Sequence, residues 1–256
     1  TLKTLLLHKY HSLENDFLIL ENGTVSPELA RETCDRSSGL GADGLINFEV
    51  QQDVFQLELI NSDGSTAGFS GNGFACTAAY LMRTYALSTL ELISKTKRVP
   101  VTLQKDGVLL TIGDYSFDLN SRYPFEHQVG GKSYHTVDVG NEHAVFFDTV
   151  DSRTVESYFA QETLFPDSIN INLARILSES LIDLEVIERG CGRTRACTSG
   201  ALATAIAAIT CGLCSPPIRI RQAGGEILVH RDPGQDRYSV KLSPVYIGTF
   251  EYGTKR

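Results

Sequence analysis

Apolar and polar residues alternate in short runs along most of this chain, the period expected of strands with one buried face. Residues 3–10 and 16–21 read as strands, and Phe55, Leu57 and Leu59 recur at every second position. Asp106-Gly107, between VTLQ and VLLTI, is a hairpin signal. Further strands are predicted at about 115–119, 134–139, 144–148, 183–187, 218–222, 226–230, 238–242 and 245–251. Ser26 followed by Pro27 gives a helix start that runs to about Arg36. Helices are also predicted around 151–161 and near 171–179. Two stretches lack any polar stripe, from about Asn72 to Tyr85 and over 199–210. Their side chains are almost wholly apolar or small, as in a helix wrapped by sheet rather than laid on a surface.

Those two helices belong to a repeat half a chain long. Residues 61–79 read NSDGSTAGFSGNGFACTAA and residues 188–206 read ERGCGRTRACTSGALATAI. In each window an alternating apolar strand reaches a polar residue, Asn61 or Glu188. A small side chain with an exchangeable proton follows, Ser70 or Cys197, then a glycine-containing turn and the helix. Gly73/Gly200, Thr77/Thr204 and Ala78/Ala205 coincide. A second pair, ENDFLIL at 14–20 and GNEHAVFF at 140–147, keeps nearly the same offset. A repeat this long predicts two similar domains rather than an array of short units. The expected division is residues 1–115 with about 245–256 returning to them, and residues 116–244.

Composition narrows the class. With 256 residues, 42% hydrophobic and 21% charged, the chain reads as a globular protein large enough for two cores. A net charge of −8 argues against a nucleic-acid partner, and no apolar run approaches a membrane span. The leucines of TLKTLLLHKY are too few for a signal-peptide core. Six cysteines in a chain of this length do not form a disulfide scaffold, so reduced thiols in a cytoplasm are expected.

Two familiar motifs lose their usual meaning in context. GLGADG at 39–44 matches the dinucleotide pattern, but it follows a helix and leads into the strand LINFEV, the reverse of the required order. Cys211 and Cys214 form a C-x-x-C without a second ligand pair, at a helix exit marked by Gly212. No metal or organic cofactor is expected.

The repeated helix starts carry the chemistry. A helix N-terminus presents unpaired N–H groups and partial positive charge, so it attracts carboxylates and is expected to acidify a thiol. Two such starts facing one ligand could hold a carboxylate with an acid/base group on each side of the adjacent carbon. That arrangement suits inversion of an amino-acid stereocentre by removing a proton from one face and returning one to the other. Taken alone, Cys197 is as readily a small buried residue, the asparagines are turn formers, and His143 is a packed histidine.

The chain resembles the diaminopimelate epimerase family nearly end to end. The resemblance runs through HSLENDF (11–17), CDRSSGLGADG (34–44), NSDGSTAGFSGNG (61–73), VGNEHAVFF (139–147), NIN (170–172), ERGCGRTRACTSGA (188–201) and GGEILVH (224–230). It implies an α/β (α+β) protein of two pseudo-symmetric domains, each a mostly antiparallel sheet rolled around a central helix, with the active site in the cleft between them. The implied reaction is cofactor-independent conversion of LL- to meso-diaminopimelate by a two-base thiol mechanism, serving lysine and peptidoglycan precursor synthesis. Carried over, Cys197 is one catalytic position with Glu188 assisting, and position 70 is the other with His143 assisting. Gly71, Asn72, Thr198 and Ser199 would hold the reacting carboxylate through their backbone. Asn15, Asn61, Asn141, Asn170 and Arg189 would bind the polar ends of the substrate. The resemblance also permits a homodimer.

Departures from the family pattern qualify this. Ser70 stands where the family has its first cysteine, and a hydroxyl is a far weaker acid than a thiol, so the chain as it stands is expected to fail on one face. Both an introduced replacement and a natural one fit. Ser12 and Glu14 replace glycines beside Asn15, Glu142 replaces a proline, and Thr198-Ser199 replaces Gly-Thr. The alternatives are a racemase or epimerase of the same fold with another or broader amino-acid range, and an amino-acid-binding protein that has lost catalysis.

Overall fold

The apolar run Phe17–Leu20 becomes part of a strand buried on both faces. The structure is a computed structural model and describes residues 4–21, 23–51, 54–117, 126–160, 169–189 and 192–254. By proximity of its backbone the chain divides into two units, Thr1–Ile112 with Lys241–Arg256, and Gly113–Val240.

In the first unit the chain runs β1 (Thr4–Ser12), β2 (Asn15–Glu21), α1 (Pro27–Cys34), β3 (Gly44–Gln51), β4 (Val54–Asn61), β5 (Thr66–Ala67), α2 (Gly71–Tyr85), β6 (Thr89–Ile93), β7 (Arg98–Gln104) and β8 (Gly107–Ile112). The second runs β9 (Glu126–Val129), β10 (Lys132–Asp138), β11 (Glu142–Phe146), α3 (Ser152–Ala160), β12 (Asn170–Ser178), β13 (Leu181–Glu188), β14 (Gly192–Thr194), α4 (Thr198–Thr210), β15 (Ile218–Gln222) and β16 (Gly225–Arg231). β17 (Tyr238–Leu242) carries the chain back, and β18 (Val245–Gly253) pairs with β1.

The two pairing patterns superimpose. In the first unit the strands follow the order β18, β1, β2, β3, β4, β6, β7, β8, with β2–β3 and β4–β6 parallel and the other pairs antiparallel. In the second the order is β9, β10, β11, β12, β13, β15, β16, with β11–β12 and β13–β15 parallel. The short β5 and β14 lie on β4 and β13. Register matches as well: Phe17 faces Gly44 where His143 faces Asn170, and Leu45 faces Ile60 where Ile171 faces Ile187.

Each sheet carries a helix on both sides. Leu18, Leu20, Leu45 and Ile60 pack with Ala30 and Cys34 of α1, and Ala144, Phe146 and Ile171 pack with Val155 of α3. The alternate residues of the same strands face the central helices α2 and α4. Every residue of α4 from Thr198 to Ala208 is buried. Burial on all sides explains why no polar stripe marks it.

The α1 start follows the sequence signal, with Leu29 N–H donating to Ser26 Oγ at 3.1 Å and Pro27 in the first turn. Gly212, at φ 69°, ends α4 as expected. The GLGADG segment lies between α1 and β3, the order read from the sequence. One expected element is wrong. Residues 171–179 were expected to form a helix, and 170–178 are β12. Pairing on both edges, with β11 and β13, outweighs the helix-forming LeuAlaArg stretch. Of the strand expected at 115–119, residues 118–119 lie outside those described, and Ser116 makes one bridge to Asp138.

The β1–β2 hairpin turns through Leu13 and Glu14, at φ 54° and 65°. This is the two-residue turn that favours Asn-Gly, because both central residues must adopt the left-handed conformation. Leu and Glu pay a steric cost there of about 1 kcal/mol each. Glu14→Gly is therefore expected to stabilise the protein by about 0.5–1 kcal/mol, net of glycine's looser unfolded chain. Urea unfolding checks this, and an unchanged or lower midpoint contradicts it.

Candidate active site

The two central helices begin in the same way. Ser70 caps α2 with φ −140° and ψ 115°, and its Oγ accepts from Gly73 N–H at 3.1 Å. Cys197 caps α4 with φ −135° and ψ 109°, and its Sγ accepts from Gly200 N–H at 3.3 Å. Both are extended residues whose side chains fold back over the first turn. The shared glycines permit this. A Cβ on Gly73 would stand 3.2 Å from Ile46 and 3.3 Å from Ser70 Oγ, and one on Gly200 would stand 2.9 Å from Val186 and 3.2 Å from Cys197 Sγ.

Around the α2 start, the buried Asn72 amide donates to Asn15 Oδ1 at 3.2 Å, and Asn15 Nδ2 donates to Asp43 Oδ2 at 2.7 Å. Arg36 links Asp43, at 3.0 Å, to Asp16, at 2.7 and 3.1 Å. Lys9 reaches Asp16 at 3.2 Å. Burial works to raise the Asp16 carboxyl, but its bonds from Arg36 and Lys9 outweigh that and hold it below the usual range. This charged group fixes Asn15 beside the helix start. Lys9, Asp16, Arg36 and Asp43 were not among the candidates from the sequence, although Asp16, Arg36 and Asp43 lie in motifs already quoted. Asn61 bonds Ser65 through side chain, at 3.0 Å, and backbone, so it organises its own turn.

Around the α4 start, Cys197, Thr198 and Ser199 are all buried. Glu188 Oε1 accepts from Thr194 at 2.6 Å and lies close enough for its charge to act on Cys197. Cys197 N–H donates to Gln222 Oε1 at 2.8 Å. Asn170 donates to Glu142 carbonyl at 3.0 Å and accepts Arg189 N–H at 2.9 Å, pinning two segments, while the Arg189 side chain is exposed. Asn141 Nδ2 is 3.5 Å from Ser199 Oγ. His143 is buried between Asn172 Oδ1, 2.9 Å from Nδ1, and Ser199 Oγ, 3.1 Å from Nε2. Asn172 was not among the candidate site residues. It lies in the NIN motif already quoted, but only the strand register brings it to His143.

The candidate residues therefore gather in two groups. Ser70, Gly71, Asn72 and Asn15 lie together in the first unit, with Asn61 at the end of β4. Cys197, Thr198, Ser199, Glu188, His143 and Asn141 lie together in the second, with Asn170 and Arg189 at the adjoining strand ends. One expectation about them is overturned. The Cys197 thiol is pushed well above its ordinary value, first by burial and then by the Glu188 carboxylate. Contacts with Ser199 and the Gly200 N–H act in the acidifying direction and do not compensate.

A family model described as diaminopimelate epimerase matches residues 7–117 and 135–246. The chain belongs to the diaminopimelate epimerase family. It is 31% identical over 247 residues to the diaminopimelate epimerase of Sphingopyxis alaskensis, covering 89% of this chain and 90% of that one. Against the enzyme of a Synechococcus strain it is 31% identical over 284 residues, covering 94% and 96%. Among solved structures, a predicted epimerase from Pseudomonas aeruginosa matches with a TM-score of 0.74 at 12% identity, covering 99% and 100%. A probable proline racemase from Agrobacterium radiobacter gives 0.73 at 12%, covering 98% and 93%. These neighbours show the shared fold of pseudo-symmetric halves. The family and its relatives make this an isomerase of the amino-acid epimerase and racemase group.

Burial lowers His143 to about 4, against a raising contribution from Asn172 and a further lowering one from Arg189. An unfolded histidine titrates near 6.5. Between those values the unfolded chain binds a proton that the folded one refuses, so stability is full above about pH 6.5 and falls as pH drops toward 4. The loss from this residue is roughly 3 kcal/mol. Urea unfolding at pH 7 and pH 4.5 checks this: His143→Phe is expected to lose less stability over that interval than the parent protein.

Proposed function

We propose that this protein inverts the α-carbon of diaminopimelate, from the LL to the meso form, without an organic cofactor. The observation that carries the reading is the matched pair of helix starts. Each places one side chain with an exchangeable proton over a first turn of N–H groups, in nearly identical backbone geometry. Chemistry supplies the rest. Deprotonating an α-carbon builds charge on the neighbouring carboxylate, and helix-start N–H groups of Gly71, Asn72, Thr198 and Ser199 suit that charge. Inversion without an electron sink then needs one proton handler on each face.

In this reading Cys197 serves one face with Glu188 assisting, and position 70 serves the other. Arg189, exposed and always charged, suits the distal carboxylate of a substrate with two charged ends, and Asn15, Asn61, Asn141 and Asn170 suit its ammonium and carboxylate groups. The family resemblance gives His143 to the position-70 side, whereas its hydrogen bonds run to Ser199. Ser70 limits the form described here, because a hydroxyl at that place holds its proton too tightly. The product would enter lysine and peptidoglycan precursor synthesis. Glu14 and Glu142 add charge beside Asn15 and Asn141, which gives a second reading of broader amino-acid range.

The test is solvent-deuterium exchange at the α-carbon of LL-diaminopimelate, with a panel of other amino acids alongside. Ser70→Cys is expected to raise exchange by at least about 10²-fold, the usual scale of a positioned acid/base group. Cys197→Ala in that background is expected to abolish it. A folded Ser70→Cys protein that neither exchanges nor epimerises any member of the panel would sink the assignment.

A further inference from the structure

The hairpin that follows each central helix is bonded to the chain just ahead of that helix's cap. Strand register makes the two hairpins equivalent: Ile93 lies beside Gln56 on the parallel β4–β6 ladder, as Arg221 lies beside Asp183 on β13–β15. Ser94 and Gln222 are therefore the matching next residues. Each continues an inward-facing row, Leu90 and Leu92 in one unit, Ile218 and Ile220 in the other. The carbonyl two residues before the cap is held in both. Ser94 Oγ donates to Gly68 carbonyl at 2.5 Å, and Gly224 N–H donates to Arg195 carbonyl at 2.6 Å.

The two positions differ in how far their own groups are satisfied. Besides donating to Gly68, the Ser94 hydroxyl accepts from Thr96 N–H at 3.3 Å and Lys97 N–H at 3.2 Å, so it is complete within its turn. Gln222 is half complete. Its Oε1 accepts Cys197 N–H at 2.8 Å, and a backbone N–H can only donate, which fixes Nε2 as the other end of the amide. Nε2 is buried and has no hydrogen-bond partner among the described residues. A buried donor left unmet is a standing cost to stability. The hairpin does not require it, because Gly224 N–H on Arg195 carbonyl and the Arg195 guanidinium on Ala223 carbonyl, at 3.3 Å, hold the tip without Gln222. Accepting at Oε1 also polarises the amide and strengthens Nε2–H as a donor.

We propose that Gln222 is a substrate-binding residue, whose Nε2–H donates to the carboxylate held at the start of α4. The inference rests on the function proposed above and adds a contact to it. Cys197 N–H is the donor immediately before those of Thr198 and Ser199, and the Gln222 amide passes its hydrogen-bonding direction onward to a ligand oxygen. A carboxylate is the acceptor that fits, since its oxygens offer several lone pairs and can take Nε2–H together with the first-turn N–H groups. Ser94, complete in its own turn, offers no such donor at the equivalent place.

Calorimetric binding of LL-diaminopimelate to the Ser70 chain, which is expected not to turn it over, tests this at about pH 8, where a glutamate side chain is ionised. Gln222→Glu keeps an oxygen for Cys197 N–H and puts a second oxygen where Nε2 stands, whereas Gln222→Met removes both ends. Gln222→Met is expected to weaken binding about tenfold, the loss of one hydrogen bond to a charged group, and Gln222→Glu by more than about 10²-fold. A side chain that only steadied Cys197 would give the opposite order, because Gln222→Glu keeps that bond. Nitrogen-15 NMR gives a direct reading: the Gln222 side-chain amide protons, identified by their loss in Gln222→Met, should move downfield when ligand binds. Urea unfolding of each variant confirms that it is folded. Gln222→Glu binding as tightly as the parent, or amide protons unmoved by bound ligand, overturns the proposal. Equal binding by all three proteins overturns the Gln222 contact alone and leaves the α-carbon exchange reading standing. If another amino acid binds and LL-diaminopimelate does not, the same order on that ligand supports the contact, and only the substrate assignment is lost.

Discussion

Everything at the candidate site depends on one contact made twice, a side chain folded back onto the N–H of the third residue of a buried helix. Ser70 makes it to Gly73 and Cys197 makes it to Gly200. A helix that starts inside a sheet cannot leave its first turn to water, so the capping residue is under structural demand before any chemistry is asked of it. The demand fixes the residue's place: an extended backbone, a glycine at the third position, and the short strands β5 or β14 delivering the chain to the turn. A proton-bearing atom held this way needs no further support to be aimed. Its reactivity is another matter, because the burial that aims Cys197 also raises its thiol.

The contrast between the units separates what the fold needs from what the chemistry needs. Phe17 and Ile46 fill the space beside α2 with carbon, and the sheet, the helix and the cap all form. In the second unit the same space holds His143 and Asn172, and four hydrogen bonds tie them to Ser199, Gly200 and Thr204 and to each other. Bonded throughout, the pair escapes most of the penalty for burying polar groups, but apolar packing would have served the fold as well. The first unit puts its charges elsewhere, in the Lys9, Asp16, Arg36 and Asp43 group that fixes Asn15.

Much of this was legible in the sequence because the repeat is local. The windows at 61–79 and 188–206 each contain strand end, capping residue, glycine and helix within one stretch, so matching them required no knowledge of tertiary contacts. The unstriped composition of α2 and α4 announced burial on all sides. What escaped depends on pairing between distant segments. β12 looked helical since Leu173, Ala174 and Arg175 are good helix formers, and only its two neighbouring strands decide otherwise. Asn172 stood in the quoted NIN motif, but its role was hidden for the same reason: its partner His143 is adjacent through the β11–β12 ladder, not through spacing. The expected acidity of Cys197 failed because a helix start was weighed without the cost of burial, which no local motif reports.

Position 70 is where capping and chemistry pull apart. Oxygen is the better cap: serine is among the preferred residues there, and its Oγ is a stronger acceptor for the Gly73 N–H than a thiol sulfur is for the Gly200 N–H at the equivalent place. Sulfur is the better proton carrier, since a thiol ionises far more readily than an aliphatic hydroxyl. Ser70 thus favours the start of α2 by a fraction of the ~1 kcal/mol that a good cap confers, and gives up most of the acidity an inversion chemistry requires. Cys197 accepts the weaker cap and retains the proton chemistry. Its helix compensates in another way, because Gln222 takes the cap's own N–H and Asn172 ties down the Gly200 carbonyl. The α4 start is therefore held by side chains from two strands rather than by its cap alone, and that external support is what allows a thiol to occupy it.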